Sequence, residues 1–245
     1  MNVSLRVVLV LTALPLAIQA STISLKNDFS ITNGNPNGSW SYQLNSTNLG
    51  FQTPTANGNP LIPAMSTGFW GAGPNLNTDT PEIFKALVDG ASAGQSSTLD
   101  FMTSDIIGHS PNAGGTLFAR WTAPTAGTIN SYSGRVWYAF SNGVRSSDYV
   151  LLFNLATLAS GTVTTPNNRT NQSAFSGGPF FINAGDVISI GISKTAGQAF
   201  GSTTGLNLTM DFTAVPEPAT FTLLAVGLAG LALRHRNRKP AKLST

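Results

Sequence analysis

The chain has 245 residues and a formal net charge of +3, with 41% hydrophobic but only 9% charged side chains. It contains no cysteine, which excludes disulfides, thiolate metal sites and thiol nucleophiles together. Arg6 and five cations beyond residue 233 stand apart; the rest of the chain holds seven Lys and Arg against ten Asp and Glu, so the basicity belongs to the ends and nucleic acid is excluded as a partner.

At the amino end, residues 1–20 carry one cation, Arg6, then an apolar stretch over residues 7–18 interrupted by Pro15, and small residues at Ala17 and Ala20. This is the layout of a secretory leader cut after Ala20, and the apolar run is short for a permanent anchor. The expectation is a leader over residues 1–20, a body over 21–214 and a separate C-terminal segment over 215–245.

Within the body, residues 23–31 and 40–44 read as two opening strands around the turn-rich run from Asn33 to Gly38. Trp70 comes next, in a Gly- and Pro-rich stretch that reads as a loop. Residues 81–89 form the one helix-like pattern, with Ile83, Phe84, Leu87 and Val88 spaced for a short amphipathic turn. Further on, Leu117, Ala119 and Trp121 form an inward row at every second position, as do Val136, Tyr138 and Phe140 in a strand beginning near Thr128. Residues 149–155 are apolar on both faces, which suits a central strand. After a turn at Asn183 to Asp186, Ile188, Ile190 and Ile192 form an inward row. The last strand alternates Leu206, Leu208, Met210 and Phe212 with Asn207, Thr209 and Asp211 facing the other way. Eight or more strands with Gly and Pro turns predict an all-β fold, a β-sandwich of jelly-roll type.

The inventory for catalysis is poor. His109 is the one histidine outside the tail, no Gly-x-Ser-x-Gly elbow accompanies it, and Glu82 is the one glutamate before residue 217. A glycosidase pair would have to come from aspartates. No catalytic residue is assigned, and the body reads as a non-enzyme. Calcium is the one metal the sequence permits, with Asp28, Asp186 and Asp211 near strand ends as its ligands. Sugar rings lie on aromatic faces while their hydroxyls seek polar groups, so Trp70, Trp40, Tyr42 and His109 are the candidate glycan contacts.

Beyond the last strand come Val215, Pro216, Glu217 and Pro218, then an uncharged run over residues 219–233, then Arg234, Arg236, Arg238, Lys239 and Lys242. Two prolines flank Glu217 and keep the motif extended rather than folded into the apolar run behind it. Fifteen residues of helix cover about 22 Å, a marginal membrane span, and the cations after it mark a cytoplasmic stop.

This order of motif, apolar run and arginines resembles the PEP-CTERM sorting signal of Gram-negative, exopolysaccharide-producing bacteria. The resemblance implies recognition by an exosortase, a membrane-embedded transpeptidase that cuts near the motif. A tethered precursor would thus be released to the cell surface or extracellular matrix. A second resemblance covers most of residues 24–213. It rests on Asp28, Phe29 and Ser30, the run from Asn35 to Tyr42, His109 with Pro111, Arg120 with Trp121, Pro124 and Gly127, and the run from Asn183 to Asp186. These are similar to a jelly-roll module found in PEP-CTERM proteins, which implies a matrix-associated or carbohydrate-binding body. A glycan-active hydrolase and a structural surface protein without a small ligand are the alternative readings.

Overall fold

The computed structural model describes residues 20–53, 66–73, 80–90, 99–140, 144–215, 225 and 227–233. Residues 20–214 form one compact unit. In chain order its elements begin with β1 (Ala20–Ser24), α1 (Leu25–Asp28), β2 (Trp40–Leu44), β3 (Thr47–Asn48), β4 (Gly50–Gln52), β5 (Phe69–Gly71), β6 (Glu82–Lys85) and β7 (Ile106–His109). They continue with β8 (Thr116–Thr122), β9 (Gly127–Tyr138), β10 (Ser147–Phe153), β11 (Ala156–Val163), β12 (Ser173–Gly177), β13 (Phe180–Ile182), β14 (Val187–Lys194) and β15 (Thr203–Ala214).

Two antiparallel sheets face each other. The larger runs β12-β9-β15-β7-β6-β5-β4, with β1 added on β15 and β13 on β9; the smaller runs β11-β10-β14-β8-β2-β3. Between β7 and β10, and again between β13 and β15, the chain crosses from one sheet to the other at every step, which makes the sandwich a jelly-roll type. β15 is the organising strand. β9 runs along one edge from Thr204 to Ala214, while the other edge is shared by β7 opposite Thr203 to Leu206 and β1 opposite Thr209 to Thr213.

Alternation builds the main core. Leu206, Leu208, Met210 and Phe212 point into the sandwich and meet Leu117, Ala119, Trp121, Ile188, Ile190 and Ile192 from the facing sheet. Each such large side chain, fully buried, is worth about 1.5–3 kcal/mol over its exposed state. A second core lies on the other side of the larger sheet, where Phe69, Phe84, Ile107 and Trp137 face outward and are covered by Ala86, Phe101 and Ala139.

Four local expectations are corrected. The strand foreseen over residues 23–31 ends at Ser24, whose hydroxyl accepts from Asn27 N at 3.3 Å while its own N–H donates to Asp28 Oδ2 at 3.0 Å. That reciprocal cap starts the single turn α1 and redirects the chain. The helix foreseen over 81–89 is the strand β6, because pairing with β5 and β7 offers its four residues a ladder that an isolated turn cannot match. Trp70 lies in β5, not in a loop. The central strand β10 stops at Phe153, and Leu155 stands in the next turn with 94% of its surface exposed.

The leader, Pro216, Glu217, Pro218 and the cations Arg234, Arg236, Arg238 and Lys239 lie outside the described residues. Residues 227–233 are helical, with Leu231 and Leu233 exposed. Among the described residues no helix is long and apolar enough to cross a membrane.

Candidate functional site

In an antiparallel sheet, directly paired residues point to the same face. The outward side of the larger sheet can therefore be traced row by row from the register. Opposite Asn207 stands Arg135, and beyond it Ala174; opposite Thr209 stands Ser133, and beyond it Ser176. The next row joins Thr22, Asp211 and Ser131, and the last joins Ala20, Thr213, Thr128 and Phe181. From Asn207 to Thr213 the strip is about 20 Å long at the usual strand rise. It is polar and open along its length and closes on one aromatic ring, Phe181, which is 55% exposed.

The strip has a built boundary. Trp137 lies flat over Gly205, where an added Cβ would come within 2.0 Å of the indole, and its Nε1 donates to Asp100 O at 2.8 Å. Only glycine admits so close an approach of ring to strand. On the Trp137 side the outer face is sealed by the second core, and on the Arg135 side it is left to solvent.

Several side chains on the strip hold one another. Thr22 Oγ1 donates to Asp211 Oδ1 at 3.2 Å, Ser131 Oγ to Asp211 Oδ2 at 2.8 Å, and Asn130 Nδ2 to Thr213 Oγ1 at 2.7 Å. Arg135 Nη1 donates to Gln172 Oε1 at 3.3 Å. Between Arg135, Ser133, Ala174, Ser176, Asn207 and Thr209 lies a hollow of about 610 Å³. Ser, Thr and Asn can both donate and accept, which is what a sugar hydroxyl requires, and Phe181 supplies a face for its C–H side. The strip carries one carboxylate, Asp211, and no histidine, so the two acids of glycosidic hydrolysis are not present on it.

The aromatic side chains expected to meet a glycan are placed elsewhere. Trp70 is 3% exposed, stacked on Tyr42 at 6.3 Å and met edge-on by Phe51 at 5.9 Å, with its Nε1 donating to Ser30 O at 2.9 Å. Trp40 and Tyr42 are equally enclosed, and Trp40 Nε1 donates to Asp28 Oδ2 at 3.2 Å. With no open ring face these three pack the main core. The half-buried His109 ends β7, opposite Glu82 and Thr203 and on the far side of Trp137 from the strip. Its Nδ1–H donates to Ser110 O at 2.8 Å, and burial pushes its pKa down from 6.5 to about 4, so the ring is neutral at neutral pH.

The three candidate calcium ligands do not converge. Asp28 caps α1 and holds Trp40; Asp211 sits mid-strip between Thr22 and Ser131. Asp186 closes the turn that carries Gly185 at φ +86°, accepting from Asn183 N at 2.7 Å and Asn154 Nδ2 at 3.1 Å. The Asn183 N–H in particular holds the Asp186 carboxyl below its usual range. Among the described residues no group of three His, Asp or Glu is placed to hold a metal ion.

Phe181, Arg135 and Ser133 were missed from the sequence. The signal was present in part, because the outward set of the last strand is visible in its alternation. The partner rows come from β9, β12 and β13, whose register no local pattern states.

No curated protein matches the chain. Among solved structures it is similar to a family 35 carbohydrate-binding module from Clostridium thermocellum, at 14% identity over 52% of this chain and 86% of that one, with a TM-score of 0.28. A family 35 module from an environmental isolate matches at 12% identity over 71% and 98%, with a TM-score of 0.28. The module CBM36 in complex with calcium and xylotriose matches at 15% identity over 53% and 87%, with a TM-score of 0.26. These superpositions are loose, and the fold assignment stands on sheet order and register. The C-terminal segment gives the specific match: residues 214–239 fit the PEP-CTERM protein-sorting motif, so the chain carries that sorting signal directly behind a jelly-roll β-sandwich.

Proposed function

We propose that the protein is exported, tethered through its C-terminal segment, and processed by an exosortase-type peptidase that leaves residues 21–214 at the cell surface or in the extracellular polysaccharide matrix. There the body binds polysaccharide without cleaving it, along the outer strip of the larger sheet. The sorting half rests on the motif at residues 214–239, which begins at the last residue of β15. The binding half is carried by one observation. Half of the outer sheet face is covered by a hydrophobic core, while the other half stays open as a polar row about 20 Å long ending in the exposed ring of Phe181. An aromatic ring left open beside hydroxyl and amide groups suits a sugar chain, and the row is long enough for several sugars.

The test is affinity electrophoresis of the body, residues 20–214, in gels containing polysaccharide from the producing cells' own matrix. Retardation that falls about tenfold in Phe181→Ala, with an unchanged melting temperature, supports the reading. Retardation indifferent to Phe181, or none at all, rejects the strip as the binding surface.

A further inference from the structure

Among the described residues the strip carries one cation, Arg135, and no acidic side chain is paired with it. Among the described residues both ion pairs belong to Asp105, which is held by Lys26 at 3.6 Å and Arg169 at 2.8 Å. Arg135 has only the 3.3 Å contact of its Nη1 to Gln172, a neutral amide, and is exposed. The acid of the same face, Asp211, lies two rows away, about 13 Å along the strand, and its two oxygens already accept from Thr22 and Ser131. The guanidinium therefore stands beside the 610 Å³ hollow with a planar fork of donors still to be used.

We infer that the polysaccharide held by the strip is acidic, and that a sugar carboxylate seats on Arg135 in the hollow between Ser176, Asn207 and Thr209. This rests on the strip being the glycan-binding face and adds the class of glycan to it. The chemistry is asymmetric along the row. A carboxylate meets the guanidinium at one end, neutral sugars pass Ser133 and Thr209, and a ring face meets Phe181 at the other end. Asp211 contributes to the choice of partner. Its charge repels a second carboxylate at mid-row, so a chain in which acidic and neutral sugars alternate fits better than one charged at every unit. Pairing with a bidentate carboxylate is also favoured by geometry, because lysine could not present two parallel donors from the same site.

The experiment measures binding of the body, residues 20–214, by isothermal titration to two acidic polymers in which a uronate alternates with a neutral sugar, hyaluronan and unsulfated chondroitin. Each is compared with its own carboxyl-reduced form, in which every carboxylate has become a hydroxymethyl group. The expected result is binding of at least one acidic polymer that weakens about tenfold or more on carboxyl reduction. Arg135→Gln should weaken the acidic polymer by a similar factor and leave the reduced form unchanged, while Arg135→Lys should recover only part of the loss. Equal affinity for native and reduced polymer, or an Arg135→Gln variant that binds the acidic polymer as the parent does, would overturn the acidic class. If Phe181→Ala still weakened both forms in that case, the glycan-binding strip itself would stand. Absence of binding to all four polymers overturns the acidic class, and affinity electrophoresis in the cells' own matrix polysaccharide then decides the strip separately.

Discussion

Ala20 of β1 lies directly opposite Thr213 of β15, one residue before that strand ends. The first strand of the body thus closes the edge of its last strand, and the two processing points expected from the sequence leave the folded body side by side. Among the described residues β1 pairs with no other strand, so its hold on the sheet comes from five backbone pairs and from Ile23, which is 8% exposed in the main core. Ile23→Ala should cost about 2–3 kcal/mol and lower the melting temperature by roughly 5–10 °C. Calorimetry on residues 20–214 measures it, and a shift under about one degree would show that β1 does not secure β15.

Trp70 tests the difference between a core ring and a sugar platform. Trp70→Ala removes an indole buried between Tyr42 and Phe51 and leaves the Ser30 carbonyl without its donor. Denaturant unfolding should register a loss of about 3–5 kcal/mol. Polysaccharide affinity, corrected for the folded fraction, should be unchanged. A stable Trp70→Ala protein that had lost binding would restore the ring to the ligand site.

His109 gives the body a stability that depends on pH. The fold keeps its ring neutral down to about 4, while the unfolded chain takes up that proton near 6.5. Between those values the unfolded state binds more protons, so the contribution is complete above pH 6.5, shrinks as pH falls, and is lost below about pH 4. The loss amounts to roughly 3 kcal/mol. Comparing His109→Gln with the parent in urea titrations across this range should show a flatter profile for the variant. Parallel profiles would mean that His109 is not the group responsible.

Sorting can be separated from folding. Glu217→Ala changes the motif and leaves every residue of the two cores as it is, so the body should melt as the parent does. In producing cells the full-length variant should accumulate in the membrane fraction instead of being released. Release of Glu217→Ala at the parental rate would remove the exosortase step.

Legibility from sequence depended on the range of the forces involved. β8, β9, β14 and β15 were readable because an apolar residue at every second position serves one buried face, and that pattern is local. β6 was misread, since Ile83 and Phe84 fit a short helical turn as readily as the two faces of a strand, where Ile83 enters one core and Phe84 the other. What settled it was a ladder to β5 and β7, the strands before and after it, whose register the run itself does not state. The calcium expectation failed to gather for a similar reason: each of Asp28, Asp186 and Asp211 completes a nearby cap, turn or hydroxyl pair, and none is left to turn toward the others.

By itself, the sequence determined the all-β character of the body, its lack of thiol chemistry, and a C-terminal signal whose prolines and cations act through local backbone and charge. Tertiary structure alone decided which aromatic rings are covered. Trp70 was drawn into the core by pairing of β5 with its neighbours, whereas Phe181 was left outside because pairing with Thr128 turns Phe180 inward and its neighbour out. Exposure belongs to the packing of strands distant along the chain, and no local pattern of residue types carries it.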